Sequence, residues 1–451
     1  MNILNEMKVE KVTEAKDQIT ITTTGARYVI EKSGEKGRIF CYQLLNKERL
    51  LATINLNVPT HALTVERNDS STCVIHQAGE MWGKWCGLNL QVNRDSLLEI
   101  FCSKELKLTF DGNFLPEYGA QKDGNVLLID EIGGVGLYPY KGLNSMEIGN
   151  FTNKEWKANY LINGFGRFWV SVFPPRKYNH AQSFEDRISH HGSLGNWDPP
   201  PYPYPSDDAI EELGRYTNIL VLHEMIWQGK FTRNGIPVRT IADNYADASF
   251  CCCEYVPVDE KELVRVIKKA HSLKMRVIPY MSPFYSTAKG KDFLEKVKSR
   301  LEKYDFDGVY FDDISMEDML YSYQIIRETR ELLKDKILYY HCTQGSLRSR
   351  NIYCPFIDTY ADYILRAEGG AGFNDEYLRY VISGYNISNS IGHICTHSYP
   401  VDIVRKLVDK VLTAKARMYL GSGSPEIEAE SFIKKEYFPR LDKEGALLRE
   451  K

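Results

Sequence analysis

The hydrophobic pattern changes character near residue 165. Before it, short β-prone segments at 18–24, 27–30, 38–44, 50–56 and 97–102 follow one another with few helical periods between them. Turn residues separate them, as in Ser33-Gly34-Glu35-Lys36-Gly37 and Asp111-Gly112-Asn113. Short strands at this spacing predict an antiparallel β-sandwich over residues 1–155. After it, apolar strands alternate with amphipathic helices. Strands are predicted at 168–173, 219–223, 276–281, 308–312, 337–341, 360–367, 393–396 and 417–420. The helix at 259–273 opens with Asp259 three residues before Glu262, a capping-box start, and then sets Leu263, Val266, Ala270 and Leu273 on one face. Phe293, Val297 and Leu301 repeat that spacing, as do Met319, Tyr323, Ile326 and Leu333, and Val404, Leu407, Val411 and Ala414. About eight strands alternating with helices match a (β/α)8 TIM barrel over 156–425. An open doubly wound sheet is the competing fold. It would show a Gly-rich phosphate loop after its first strand, where this chain has Phe173-Pro174-Pro175-Arg176. Two long segments, 179–208 and 225–258, interrupt the alternation, and long ordered loops are usually functional. Residues 426–451 form a charged tail, a docked helix or the start of a further domain.

Composition narrows the function classes. Of 451 residues, 43% are hydrophobic and 26% charged, ordinary values for a globular chain. The net charge of −3 gives no basic face for nucleic acid or an anionic membrane. The 29 tyrosines offer flat apolar faces with a hydroxyl, which suit either sugar rings or barrel walls. The ten cysteines show no CxxC pair and no regular framework, so they read as reduced, buried, small apolar residues. The run Cys251-Cys252-Cys253 would let at most Cys251 and Cys253 share a ligand. The N-terminus lacks an apolar signal core, which points to the cytoplasm, or to secretion if a signal peptide has been removed.

In barrel enzymes the chemistry sits at the C-terminal ends of the strands. Alternation along Asp307-Gly308-Val309-Tyr310-Phe311-Asp312-Asp313 turns Val309 and Phe311 toward the helices, and Tyr310 and Asp312 into the barrel. Asp313 then begins the loop, where it serves substrate or caps the next helix. The second acidic strand end is Tyr360 to Glu368. Ala361, Tyr363 and Leu365 share one face, and Tyr360, Asp362, Arg366 and Glu368 the other. Buried charges are expensive unless paired or used. This face therefore holds either an internal Arg366–carboxylate pair or an acid/base, Glu368, with Arg366 orienting a carboxylate or a substrate hydroxyl. Two carboxylates facing one cleft suit glycosidic cleavage without a cofactor: one protonates the leaving oxygen, and the other attacks the anomeric carbon or activates water. Asp312 and Glu368 are the candidate catalytic pair. Candidate contacts to an oligosaccharide or glycoside are Asp313, Arg366, His223, Glu224, Tyr280, His341 and His397, with Ser282, Tyr285, Thr343, Gln344, Thr396 and Ser398 near them. Trp197 and Trp227 are candidate sugar-stacking rings, and Trp82 and Trp85 read as packing.

The stretch FDGVYFDD, with a later strand DYILRAE, resembles retaining glycoside hydrolases of the α-galactosidase type. The preceding sandwich resembles their larger members and the endo-α-N-acetylgalactosaminidases. The resemblance implies an Asp nucleophile ending the fourth strand and an acid/base at or after the sixth, which correspond to Asp312 and Glu368. The chain departs from that group in having Tyr310 where it usually carries Lys, and Glu368 where its acid/base is commonly Asp. FDGVYFDD is also similar to the chitinase signature without its final Glu. The adjacent Asp312-Asp313 pair is similar to substrate-assisted N-acetylhexosaminidases, the alternative within the same enzyme class. Asp312, Asp313, Glu317 and Asp318 also leave open a metal-dependent barrel enzyme, and a non-catalytic sugar-binding barrel is the third reading.

Overall fold

The computed structural model describes residues 2–77, 87–191, 203–228, 232–233, 236–237, 255–284, 286, 288–312, 314, 318–342, 353–367, 374–396, 399–422 and 428–449. The chain forms two compact units. The first comprises Met1–Tyr178 with Asn351–Tyr360 and Gly384–Asn389. The second comprises Asn179–Arg350, Ala361–Ser383 and Ser390–Lys451.

The first unit is built on a 14-stranded sheet whose strand pairs are all antiparallel. The alternation seen in the sequence is the cause. In Gln18–Thr23 and Arg38–Gln43 every second residue is buried, so Ile19, Ile21, Ile39 and Cys41 enter one core. Ile54, Ile75, Leu90, Ile100, Leu108, Phe110, Phe168 and Val170 complete much of it. Gly112 lies against the Trp156 ring. A Cβ there would come within 2.1 Å of the indole, so a side chain has no room.

Residues 168–173, expected as the first strand of the barrel, belong to this sheet instead. They end the long strand Lys157–Phe173, which pairs antiparallel with Leu97–Cys102 and Gly133–Ile148. A continuous apolar run does not by itself distinguish a parallel from an antiparallel neighbour.

The second unit is a nearly closed parallel barrel. Its strands are β1 (Ile188–His191), β2 (Ile219–Leu222), β3 (Arg276–Met281), β4 (Gly308–Phe311), β5 (Ile337–His341), β6 (Tyr363–Ala367), β7 (Ile391–Ile394), β8 (Arg417–Met418) and β9 (Leu420–Ser422). Neighbours from β1 to β8 pair in parallel in chain order, and β9 pairs back onto β1 through Ser189 and Leu420. Only Tyr419 separates β8 from β9, so the two are halves of one strand position. The true first strand lies inside the segment taken from sequence as a long loop, 179–208. Because β1 replaces 168–173 one for one, Asp312 still follows the fourth strand and Glu368 the sixth.

Helices Asp207–Gly214, Glu260–Ser272, Gly290–Tyr304, Met319–Leu333 and Val401–Thr413 lie between the strands. Asp259 caps Glu260–Ser272 by accepting from Lys261 N (2.9 Å) and Glu262 N (3.1 Å), a contact of about 1 kcal/mol. Leu263, Val266 and Ala270 are buried as their spacing predicts, whereas Leu273 is exposed beyond the helix end. Gly308 has a positive φ, and a Cβ there would lie 2.1 Å from Ile337 O, so only glycine opens β4. The charged tail forms helices through Phe438–Arg449. The described cysteines, Cys41, Cys73, Cys102, Cys342, Cys354 and Cys395, are buried free thiols. Cys86 and Cys251 to Cys253 lie outside the described residues. No helix among the described residues is long and apolar enough to cross a membrane.

Candidate active site

Asp312 stands one residue beyond β4 and is held from both neighbouring strands. Its N–H donates to Met281 O at the end of β3 (3.0 Å), and its carbonyl accepts from Ser282 Oγ (2.9 Å). The Tyr280 hydroxyl donates to Asp312 Oδ2, and His341 Nδ1 meets Oδ1, both at 2.9 Å. An ionised carboxylate only accepts, so the hydrogen of the second contact sits on His341 Nδ1.

Asp312 is 8% exposed and His341 6%. Burial is the largest single influence on the Asp312 carboxyl, and it pushes the pKa up. The His341 hydrogen bond, the charges of His341 and His223, and the Tyr280 hydrogen bond together outweigh it, so the pKa lies below the usual carboxylate value. A buried carboxylate kept ionised by directed donors is suited to nucleophilic attack or to stabilising a cation.

A row of tyrosines lies beneath this clamp. Tyr280, Tyr310, Tyr339 and Tyr363 occupy matched register positions on β3 to β6. Their ring centroids are 6.1, 4.8 and 6.0 Å apart in turn. Tyr310 faces inward, as the alternation requires, while Phe311 packs outward on Phe293 of Gly290–Tyr304 at 5.4 Å. His393 on β7 closes the row against Tyr339 (5.7 Å) and Tyr363 (5.6 Å). Burial first, and then the nearby Arg417 charge, drive its pKa down to about 3, so its imidazole is neutral.

His223 and Glu224 follow β2 directly. His223 Nδ1 lies 2.6 Å from Glu224 Oε2, and His223 Nε2 lies 2.9 Å from His190 Nδ1 on β1. The His223 ring also packs beside Tyr280 (5.5 Å) and Tyr310 (5.4 Å). His190 was not singled out from sequence. Its signal was weak: Ser189-His190-His191 follows a single apolar residue, Ile188, and β1 was hidden in a segment read as loop.

Trp227, expected to stack on a sugar, is fully buried. Its indole N–H donates to Tyr280 O (2.7 Å), and its ring packs against Tyr255 and Phe306. Burial of so large a ring gains more than exposing it on a loop, and its one donor is satisfied there. Arg366 is also buried. It donates through Nε to Val381 O (2.8 Å) and through Nη1 to Cys342 Sγ (3.3 Å). It thus reaches toward the turn Leu378–Ile382, while Tyr363 faces the barrel interior. Asp362 pairs with Arg330 at 2.5 Å and accepts from Leu338 N. Glu368, Asp313, His397, Trp197, Trp82 and Trp85 lie outside the described residues, as do Tyr285, Thr343, Gln344, Ser398 and Glu317. Among the described residues no group of three or more His, Cys, Asp or Glu is arranged to hold a metal ion.

No protein-family model matches the chain, and no curated protein matches it. Solved structures do show likeness. A GH31 dextranase of Flavobacterium johnsoniae, solved with glucose, has a TM-score of 0.41 at 11% identity, covering 98% of this chain and 70% of the dextranase. The cycloalternan-forming enzyme of Listeria monocytogenes, solved with a pentasaccharide substrate, has a TM-score of 0.42 at 9% identity, covering 97% of this chain and 54% of that enzyme. A GH18 chitinase of Pseudoalteromonas aurantia has a TM-score of 0.35 at 9% identity, covering 57% of this chain and 99% of the chitinase. Scores of this size leave the chemistry to be read from the site itself.

Proposed function

We propose that the chain is a glycoside hydrolase that cleaves O-glycosidic bonds of an oligosaccharide or glycoside with two carboxylates. Asp312 is the nucleophile and Glu368 the acid/base. The observation that carries this reading is a buried, ionised Asp312 at the C-terminal end of β4, gripped by His341 and Tyr280. A carboxylate oxygen carries two lone pairs, so one that accepts a hydrogen bond can still act as a nucleophile. One Asp312 oxygen attacks the anomeric carbon while the Glu368 carboxylic acid gives its proton to the departing oxygen. Water then attacks the glycosyl ester, Glu368 takes its proton, and the sugar leaves with retained configuration. In the sequence Glu368 comes directly after β6, and Asp313 directly after Asp312.

The same reading takes the second unit as a (β/α)8 barrel and the first as a β-sandwich folded over one core. Support for the sandwich comes from the single apolar core shared by strands from both ends of the sheet path.

Asp312→Asn tests the reading. Hydrolysis of activated aryl glycosides should fall by roughly 10⁴-fold or more, the scale of removing a covalent nucleophile. An activated 2-deoxy-2-fluoro glycoside should leave a covalent adduct on the peptide bearing Asp312, seen by mass spectrometry. Full activity in Asp312→Asn, or an adduct on another carboxylate, overturns the assignment.

A further inference from the structure

The mechanism above uses Asp312, Tyr280 and His341 and leaves a second set of titratable groups without a role. Glu224, His223 and His190 form a continuous chain, with contacts of 2.6 and 2.9 Å. Glu224 is 1% exposed and His190 5%, so two of the three members are almost sealed from water. A buried carboxylate is expensive unless a donor is held against it, and the 2.6 Å contact has the length of a charge-assisted hydrogen bond.

The chain has two protonation states, fixed by bonding rules. An N···N contact between two imidazoles holds one hydrogen. With Glu224 ionised, His223 carries hydrogen on Nδ1. When both rings are neutral, His223 Nε2 accepts from His190 Nδ1. One added proton makes His223 a cation with hydrogen on both nitrogens, and His190 becomes the Nε2–H tautomer. The charge rests on His223 because that ring touches Glu224. The titratable groups facing the pair are Glu224, Asp312 and the rings of Tyr280, Tyr310, Tyr339 and Tyr419.

We propose that Glu224, His223 and His190 form a proton-holding relay that keeps one positive charge on His223 beside Asp312, making His223 a positioning residue for the nucleophile. Both His223 nitrogens are engaged, so the ring acts through its charge and does not donate to the substrate. The charge favours the ionised Asp312, and by linkage the ionised Asp312 favours the protonated pair. The catalytic role of this relay rests on the reading of Asp312 as nucleophile, but its protonation state is measured without substrate.

The experiment is a pH titration of the whole chain with ¹⁵N-labelled histidine, read from imidazole nitrogen shifts. One imidazole of the pair should carry hydrogen on both nitrogens above the ordinary histidine value of about 6.5. Glu224→Gln should lower the titration of the pair by about one pH unit or more, and Asp312→Asn should lower it in the same direction. The acid limb of kcat/KM in His223→Gln, which removes the charge itself, should move to higher pH, a change that loss of packing alone would not produce. Two neutral imidazoles at about pH 6.5, the ordinary histidine value, overturn the relay. If Glu224→Gln does not fold, the wild-type titration decides alone. A protonated pair in a protein without glycosidase activity keeps the relay and removes the hydrolase reading. Neutral rings in an active hydrolase do the reverse.

Discussion

The antiparallel sheet and the parallel barrel bury their interiors by opposite means. The sheet core is mainly aliphatic, with Ile19, Ile54, Leu90, Ile100 and Leu108 alongside Phe110 and Phe168. The barrel interior is lined by Tyr310, Tyr339, Tyr363, His190 and His393, where barrels more often stack branched aliphatics. The contrast extends to ionisable groups. In the sheet, burial acts almost unopposed and keeps them neutral: the Tyr28 hydroxyl is pushed well up, and the Cys41 thiol likewise. In the barrel the same burial neutralises His393 but loses on Asp312, because His341, His223 and Tyr280 face it. An aliphatic core needs no partners. A polar core needs a partner for every group, and the arrangement of those partners is what leaves a charge available for chemistry.

The comparison can be broken most forcefully in the sheet. Phe110 is fully buried against Tyr160 and Phe168. Phe110→Ala should cost about 3–5 kcal/mol of stability, read from denaturant unfolding, with kcat per folded molecule unchanged. A loss of activity without loss of stability would mean that the sheet takes part in the chemistry.

A smaller effect, spread over pH, is expected in the barrel. His393 has a folded pKa of about 3 against an ordinary 6.5. Between those values the unfolded chain binds the extra proton. Stability is therefore complete above about 6.5 and is lost as the pH falls toward 3, by up to a few kcal/mol. His393→Gln should flatten that acid slope in unfolding curves, and an unchanged slope would show that His393 is not its source.

The smallest effect sharpens the comparison at one hydroxyl. Tyr280→Phe removes a side-chain donor to Asp312. It should lower kcat by roughly tenfold, the low end for a hydrogen bond to a charged group. The Asp312 pKa should rise, because one of the influences holding it down is gone. The acid limb of the rate profile then moves to higher pH, and stability tied to ionised Asp312 is lost at a less acidic pH on titrating downward. An unmoved limb would assign the control of Asp312 to His341 and His223.

Much of the architecture was legible because period and polarity are local properties. Turn residues and β-prone runs marked the segment at 38–44 as a strand, and helical spacing marked Leu263, Val266 and Ala270 as one buried face. The end of β4 was legible for the same reason, since alternation puts Tyr310 and Asp312 on one face of a strand. Two errors share a different cause. Residues 168–173 were assigned to the barrel, and Trp227 to a sugar-facing loop. In each case the deciding fact was the identity of a distant neighbour: Leu97–Cys102 for the strand, and Tyr255, Phe306 and the Tyr280 carbonyl for the indole.

By itself, then, the sequence determined which residues could carry charge at strand ends, and in which periodic frame they stand. Only the tertiary structure decided which of them meet. His341, Tyr280 and Asp312 come from three strands separated by dozens of residues, and hydrogen bonds near 2.9 Å form between them only once β3, β4 and β5 lie side by side in register. The charge on Asp312 follows from that meeting, because burial alone would have neutralised it.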